Sequence, residues 1–444
     1  MSLNRPTSYR EISQLPLILA LIWLTLFPAY SMADDFAPSR FSFNGFATLG
    51  AVRGGSEALG YRQDIAEDGV FEGDWSLKTD SLLALQFGVR ITDDFDAAMQ
   101  LVYEDRAING IEESLKWAYL RYRLSPNVTA RAGRIGLDLF MLSEYRHLGF
   151  SYLWARPPVE FYGAIPLEYF DGVDVGYTTS LGVGMLSTKF FAGTSSSAVD
   201  AVDSGDKLRV DKAIGATVSW ETMHWQLRFS ATTVEFNDDL QETFRTDDFI
   251  MGLLSAATLI KTQTPFDWTD AEHIADQISL QDVTANYYAV GISYDHAAWV
   301  IQSEINYYDA EDELFKSYTG QYLSVGYRIA STTLYGLVGR GKQLKSREKV
   351  TAIPTIPPII PGSAQIEQAL GQLRAGVQAL YDLNYIDQHS LSIGFRWDVR
   401  YDVALKFQWD RTWVDDAGGL LWVQTTLTEK ETIDTYSLNL NVIF

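Results

Sequence analysis

The chain has 444 residues, 47% hydrophobic and 13% aromatic, with 57 acidic against 35 basic side chains and a formal net charge of -22. That charge argues against a nucleic-acid partner, whose phosphates demand a basic surface. With no cysteine, disulfide staples and thiolate-bound zinc or iron–sulfur centres are excluded.

Residues 1–33 read as a cleaved secretory signal peptide. Arg5 and Arg10 give a positive start, Leu15 to Phe27 is a short apolar run, and Ser31-Met32-Ala33 is a small-residue cleavage site. The competing reading is an uncleaved anchor, against which stand the short run and the small-x-small site that follows it. Residues 34–444 then form one domain. Beyond residue 33 no run of eighteen apolar residues occurs, so no membrane-spanning helix is expected.

From Phe41 onward the pattern has a period of two. Leu83, Leu85, Phe87, Val89 and Ile91 alternate with polar or small residues, among them Gln86 and Arg90. Successive side chains of a strand face opposite ways, so such a segment has one apolar and one wet face. Sixteen segments of this kind follow in order, at roughly 40–53, 76–91, 94–106, 113–124, 128–134, 169–178, 183–193, 208–220, 225–236, 285–295, 299–309, 317–329, 333–342, 389–400, 403–411 and 434–444. Between them long and short gaps alternate. Short ones include 92–94, 125–127, 221–224 and 401–402; long ones include 135–168, 237–284, 343–388 and 412–433.

This parity of loops predicts an all-β fold, a sixteen-stranded antiparallel transmembrane barrel with short periplasmic turns and long external loops. A soluble sandwich or propeller does not sort its loops so. The final segment carries Tyr436, Leu438, Leu440, Val442 and Phe444 on one face, and is predicted to close the barrel against the strand at Phe41 to Ala51. Trp220, Trp225, Trp299 and Tyr401 lie beside short turns, where an interfacial aromatic girdle belongs.

With its signal peptide, its strand count and the closing strand that ends on Phe444, the chain resembles the trimeric porins of Gram-negative outer membranes. The resemblance implies an outer-membrane location among lipid and lipopolysaccharide, a homotrimer, passive diffusion of small hydrophilic solutes, and a third loop folded into the lumen. No cofactor is implied. By count that loop is 135–168. It lacks the PEFGGD stretch of the enterobacterial general porins, which leaves the solute range open. Trp154, Pro157, Pro158 and Tyr162 are expected to anchor it, and Asp138, Glu144, Glu160 and Glu168 to offer carboxylates to the pore. An external lid is the alternative.

Facing these carboxylates, a basic wall is expected. Folding about Ser125-Pro126-Asn127 sets Arg121 across from Arg131, with Arg123 nearer the turn; folding about Tyr401 sets Arg396 across from Lys406. Like charges directly opposite destabilise a sheet, so compensation is required. A transverse field that filters solutes and simple screening of scattered charge both fit. Farther along, 237–284 holds ten acidic residues against Arg245 and Lys261. Residues 363–381 show helical spacing, with Ser363 as N-cap; such a helix either docks on 249–260 as a lid over the pore or lies against a neighbouring subunit or the lipid headgroups.

The five histidines have no metal-ligand spacing, and neither HExxH nor GxSxG occurs, so neither a metal site nor an enzyme is expected. Two rival readings remain: a channel selective for small anions, and a plugged barrel acting as a surface receptor or adhesin through its loops.

Overall fold

Alternation along each strand puts one face into lipid and the other into the lumen, and closure of the sheet leaves no backbone edge unpaired. The computed structural model describes residues 40–444 except 57–58, 68, 71–74, 107, 109, 199–206, 238, 245, 264–266, 311, 313, 346–349, 351–355, 357–361 and 425–428. The expected signal segment, 1–33, lies outside the described residues.

Sixteen strands make the barrel. They are β1 (Phe41–Arg53), β2 (Leu82–Arg90), β3 (Phe95–Glu104), β4 (Leu115–Ser125), β5 (Val128–Gly136), β6 (Tyr169–Leu181), β7 (Gly184–Ala198) and β8 (Lys207–Glu221). The second half is β9 (Trp225–Phe236), β10 (Thr284–His296), β11 (Trp299–Ala310), β12 (Tyr318–Ile329), β13 (Thr332–Gln343), β14 (Ile386–Arg400), β15 (Val403–Gly419) and β16 (Glu431–Ile443). Each pairs antiparallel with its sequence neighbours. The ring closes where β1 meets β16, with Phe46 opposite Ile443 and Arg53 opposite Tyr436. On the long-loop side Trp75–Ser76 extends the barrel by pairing with β1, while Leu59–Gly60 and Val423–Gln424 pair with each other as a separate two-stranded sheet.

The apolar faces are where the pattern put them. Phe87, Leu120, Val175, Phe229, Ile305 and Leu438 are all exposed on the outside, forming a belt around the barrel. Trp225, Trp299 and Tyr401 are exposed beside short turns. Among the described residues no helix is long and apolar enough to cross a membrane. The chain spans it with strands.

The long connections are L1 (54–81), L2 (105–114), L3 (137–168), L4 (199–206), L5 (237–283), L6 (311–317), L7 (344–385) and L8 (420–430). L5 carries helices Leu240–Thr243, Thr246–Gln263 and Thr269–Gln277, and L7 carries helix Ser363–Leu383. The two long helices dock on each other, the first of the two alternatives. Gly252 faces Leu373, and Gly376 lies so close to Phe249 that a Cβ there would come within 2.4 Å of its ring. The start differs from expectation: Gly362, at φ +77°, caps the helix and Ser363 is its first residue. A left-handed φ suits glycine and not serine.

The interior departs from a simple water-filled tube. One buried apolar cluster runs from L3 (Leu139, Phe140, Trp154, Phe161) through the upper wall (Phe191, Tyr287, Tyr322) to the helices of L5 and L7 (Leu253, Ile274, Leu370).

Candidate functional site: the lumen and L3

L3 folds inward and crosses the barrel. It leaves β5 at Leu137 and is fixed first by Asp138, which is buried and takes Lys189 of β7 at 2.8 Å as well as Arg228 of β9. Ser230 of β9 donates to the Leu139 carbonyl at 2.6 Å. The Met141 N–H then donates to Glu304 of β11 at 2.8 Å. Opposite, the 149–156 stretch is held by β14 to β16. Lys406 donates to the carbonyl oxygens of Gly149, Tyr152 and Trp154, and Arg396 to those of Phe150 and Tyr152. Asn439 donates to the Ala155 carbonyl at 2.7 Å, while Arg156 pairs with Asp410 and Ser437. Irregular backbone cannot satisfy itself, so a loop at this depth must find partners on the wall.

The anchors expected in L3 sit at its centre. Trp154 is 1% exposed and donates through Nε1 to Ser324 of β12 at 2.7 Å. Tyr162 is buried and donates to Glu304. Pro158 occupies the N-cap of the one-turn helix Val159–Tyr162, with Pro157 just before it. The wall makes room with glycine. A Cβ at Gly291 would come within 2.6 Å of Met141 Sδ, and one at Gly339 equally close to Glu160 Oε2.

The charged residues separate into two groups. Arg121 stands across from Arg131, as the register predicted. Each finds a carboxylate: Arg121 pairs with Asp96 at 2.9 Å, and Arg131 with Asp174 at 2.6 Å and Glu144 at 3.2 Å. Arg123 reaches the Asp93 carbonyl at 2.7 Å. Arg121, Arg123 and Glu144 keep exposed side chains. They line the short-turn side of L3.

Arg396 and Lys406 also stand opposite each other, but hold the loop instead of lining a passage: Lys406 is 0% exposed. Three carbonyl oxygens replace the water its ammonium loses. Glu160 is likewise buried, receiving the Gln388 amide at 2.9 Å. Burial pushes its carboxyl up from the usual range, against the Gln388 hydrogen bond. Glu168 closes L3 within a network. Arg106 of L2 binds it together with Asp64 of L1 at 3.1 Å and Glu104 at 2.9 Å, and Lys116 joins Glu104 at 3.0 Å. Burial alone would raise the Glu168 carboxyl; Arg106, Lys116, His147 and Arg146 together hold it well below the usual range.

His147 pairs with Glu104 and Glu168, at 3.3 and 3.5 Å, and not with the neighbouring Glu144. Glu104, His147 and Glu168 are the trio of potential metal ligands among the described residues. Arg106 and Lys116 already neutralise its carboxylates, an arrangement that repels a divalent cation.

No protein-family model matches the chain, and no curated protein matches its sequence. Among solved structures, Salmonella typhi OmpF in complex with daunomycin aligns over 91% of this chain and 97% of its own, at 10% identity and a TM-score of 0.51. This is a porin-type fold. The anion-selective porin from Comamonas acidovorans aligns over 91% of this chain and 99% of its own, at 10% identity and a TM-score of 0.49. A mutant of the Rh. blastica porin covers 91% and 100%, at 14% identity and 0.44. The likeness to the OmpF structure is one of fold.

Several residues that shape this porin fold were not singled out from the sequence. Arg228 had a readable signal, since Leu227 and Phe229 take the outer face and leave it inward. Lys189 is marked in the same way by Phe190. Arg156, in a loop with no periodicity, had none.

Proposed function

We propose that the barrel is an outer-membrane channel of porin type, admitting small solutes past a constriction formed by L3. The observation that carries this reading is the attachment of L3 to opposite walls of one lumen, by Asp138 to Lys189 and Arg228 on one side and by Lys406 to Trp154 on the other. A loop fixed at both sides narrows the barrel at a defined depth, which is how a fixed aperture selects by size. The apolar belt supports placement in a bilayer, short turns toward the periplasm and long loops toward lipopolysaccharide, after export on residues 1–33. A homotrimer is supported by a shallow outer groove across β1 to β5, where Ala97, Ala118 and Ala132 lie among the exposed Phe41, Phe43, Phe87, Met99 and Leu120. Small side chains let a second barrel approach closely.

The test is electrical. Refolded protein in a planar bilayer is expected to give ohmic steps, grouped in threes if the trimer forms, and the reversal potential in a salt gradient reads the sign of selectivity. Arg121 and Arg123 favour anions. A second reading, a plugged barrel acting as a surface receptor or adhesin, is favoured by the depth to which L3 and the L5 helices are packed. Silence from correctly folded barrels would select it.

A further inference from the structure

On the long-loop side of L3 the lumen is lined quite differently from the charged short-turn side. A cavity of about 160 Å³ lies between the two shoulders of L3 (Leu139, Ile165), the inner face of β9 and β10 (Val234, Tyr287) and the overhanging L5 and L6 (Leu240, Phe315). Nineteen of its 24 lining residues are apolar or aromatic. A polar, hydroxyl-rich solute resting there would lose its hydrogen bonds to water and regain few. Water is itself poorly held by such walls, and a dry cavity of about 150 Å³ accepts a molecule the size of benzene.

Arg62, whose guanidinium donates to the Leu420 carbonyl, and Lys316 interrupt this apolar lining, and three further polar atoms qualify it. Thr232 Oγ1, the Tyr287 hydroxyl and Gln343 Oε1, on residues that line the cavity, are buried without a hydrogen-bond partner among the described residues. The orientation of Gln343 is set by its amide nitrogen, which donates to the Asn384 carbonyl at 2.7 Å. Its oxygen is thereby left to receive a donor. Buried acceptors of this kind normally find a partner.

We infer that this cavity is a binding site for a small, mostly apolar, ring-sized molecule carrying a single hydroxyl, able both to donate and to accept, the chemistry of a simple phenol. Size, apolar walls, and the unpaired Gln343 oxygen and Tyr287 hydroxyl together specify that class. Because the cavity opens above the constriction, such amphipathic molecules, and not sugars or simple ions, are the solutes the channel concentrates at its mouth. This last step rests on the channel reading; the binding site itself does not.

The experiment uses the refolded barrel and 4-iodophenol. Crystals soaked in it are expected to show anomalous iodine density among Val234, Leu240 and Tyr287, with the phenol oxygen toward Gln343. Leu240→Trp, which fills the cavity, should remove that density and weaken binding in solution at least about tenfold. Val234→Phe serves the same purpose should Leu240→Trp fail to give a heat-modifiable band. Iodine found only on the lipid-facing belt, a detergent tail that iodophenol does not displace, or equal affinity in the filled variants would overturn the site. Iodine in the cavity of a barrel that stays silent in bilayers would overturn the solute assignment and leave the site standing.

Discussion

The ammonium of Lys406 lies 2.7 Å from the main-chain oxygen of Trp154, with the Tyr152 carbonyl at 2.6 Å and the Gly149 carbonyl completing the set. A strand residue and a loop 252 positions away are thus joined by a buried amine that three main-chain carbonyls and the Tyr152 ring, 4.4 Å from it, surround. Replacing Lys406 by Met would strand the Gly149 and Trp154 carbonyls, while Tyr152 keeps its bond from Arg396, and would loosen the middle of L3. Leaving buried acceptors unmade costs about 1–3 kcal/mol each. The expected outcome is a lower temperature of heat modification on gels together with a larger single-channel conductance.

Trp154 tests the same attachment from the loop side. Trp154→Phe keeps an aromatic ring against Tyr322 but loses the bond to Ser324 and part of the indole volume, so a loss of about 1–3 kcal/mol is expected. Trp154→Ala opens a cavity as well and should cost about 3–5 kcal/mol. Thermal unfolding of the two variants in one detergent gives the comparison. Equal losses would mean that packing of the ring contributes nothing.

Acid should act on L3 through two carboxylates with opposite signs. Glu168 is held below its ordinary value of 4.5, so its contribution to stability is complete above that pH and is lost as pH falls through the lower folded value. Glu160 is raised above 4.5, so its contribution is complete below that pH and is lost as pH rises through the folded value. Glu160→Gln is therefore expected to raise the unfolding temperature at pH 8 and leave it nearly unchanged at pH 4. Glu168→Gln should lower it at pH 8 and flatten the acid limb. Unfolding scans across pH 3 to 8 check both signs.

One close approach stands at the end of the barrel seam. Gly45 exchanges both backbone hydrogen bonds with Phe444, at 2.8 and 2.9 Å, and a Cβ on Gly45 would fall 2.3 Å from the Phe444 ring. Gly45→Ala should hinder closure and reduce the heat-modifiable fraction severalfold. Phe444→Ala in the same chain should relieve the clash, so that the double variant closes better than Gly45→Ala alone. Additive defects would contradict the contact.

Strands were legible in this sequence because lipid on one side and a polar lumen on the other force a strict period of two. Register followed wherever a turn was short: Arg121 across from Arg131, and Arg396 across from Lys406, could be counted outward from Ser125-Pro126-Asn127 and from Tyr401. What those bases touch could not be counted. Lys406 and Arg131 carry the same inward signal, yet one solvates loop carbonyls and the other meets Asp174 on the next strand. The difference lies in the path of L3, which has no periodicity to read. Glycines at 291 and 339 look like ordinary strand glycines until the loop is seen to press on them. The apolar chamber was hidden for a similar reason. Its lining comes from L1, L3, L5, L6, L7, L8 and several strands, L3 contributing six residues and the rest only one to a few each.

The most direct test of the account is single-channel conductance of the wild-type barrel beside Lys406→Met, both refolded and shown to be heat-modifiable, in the same bilayer and salt. A loop that sets the aperture predicts small ohmic steps from the wild type and steps severalfold larger from the variant. Identical conductance would contradict the role given to L3, and silence from both would contradict the channel itself.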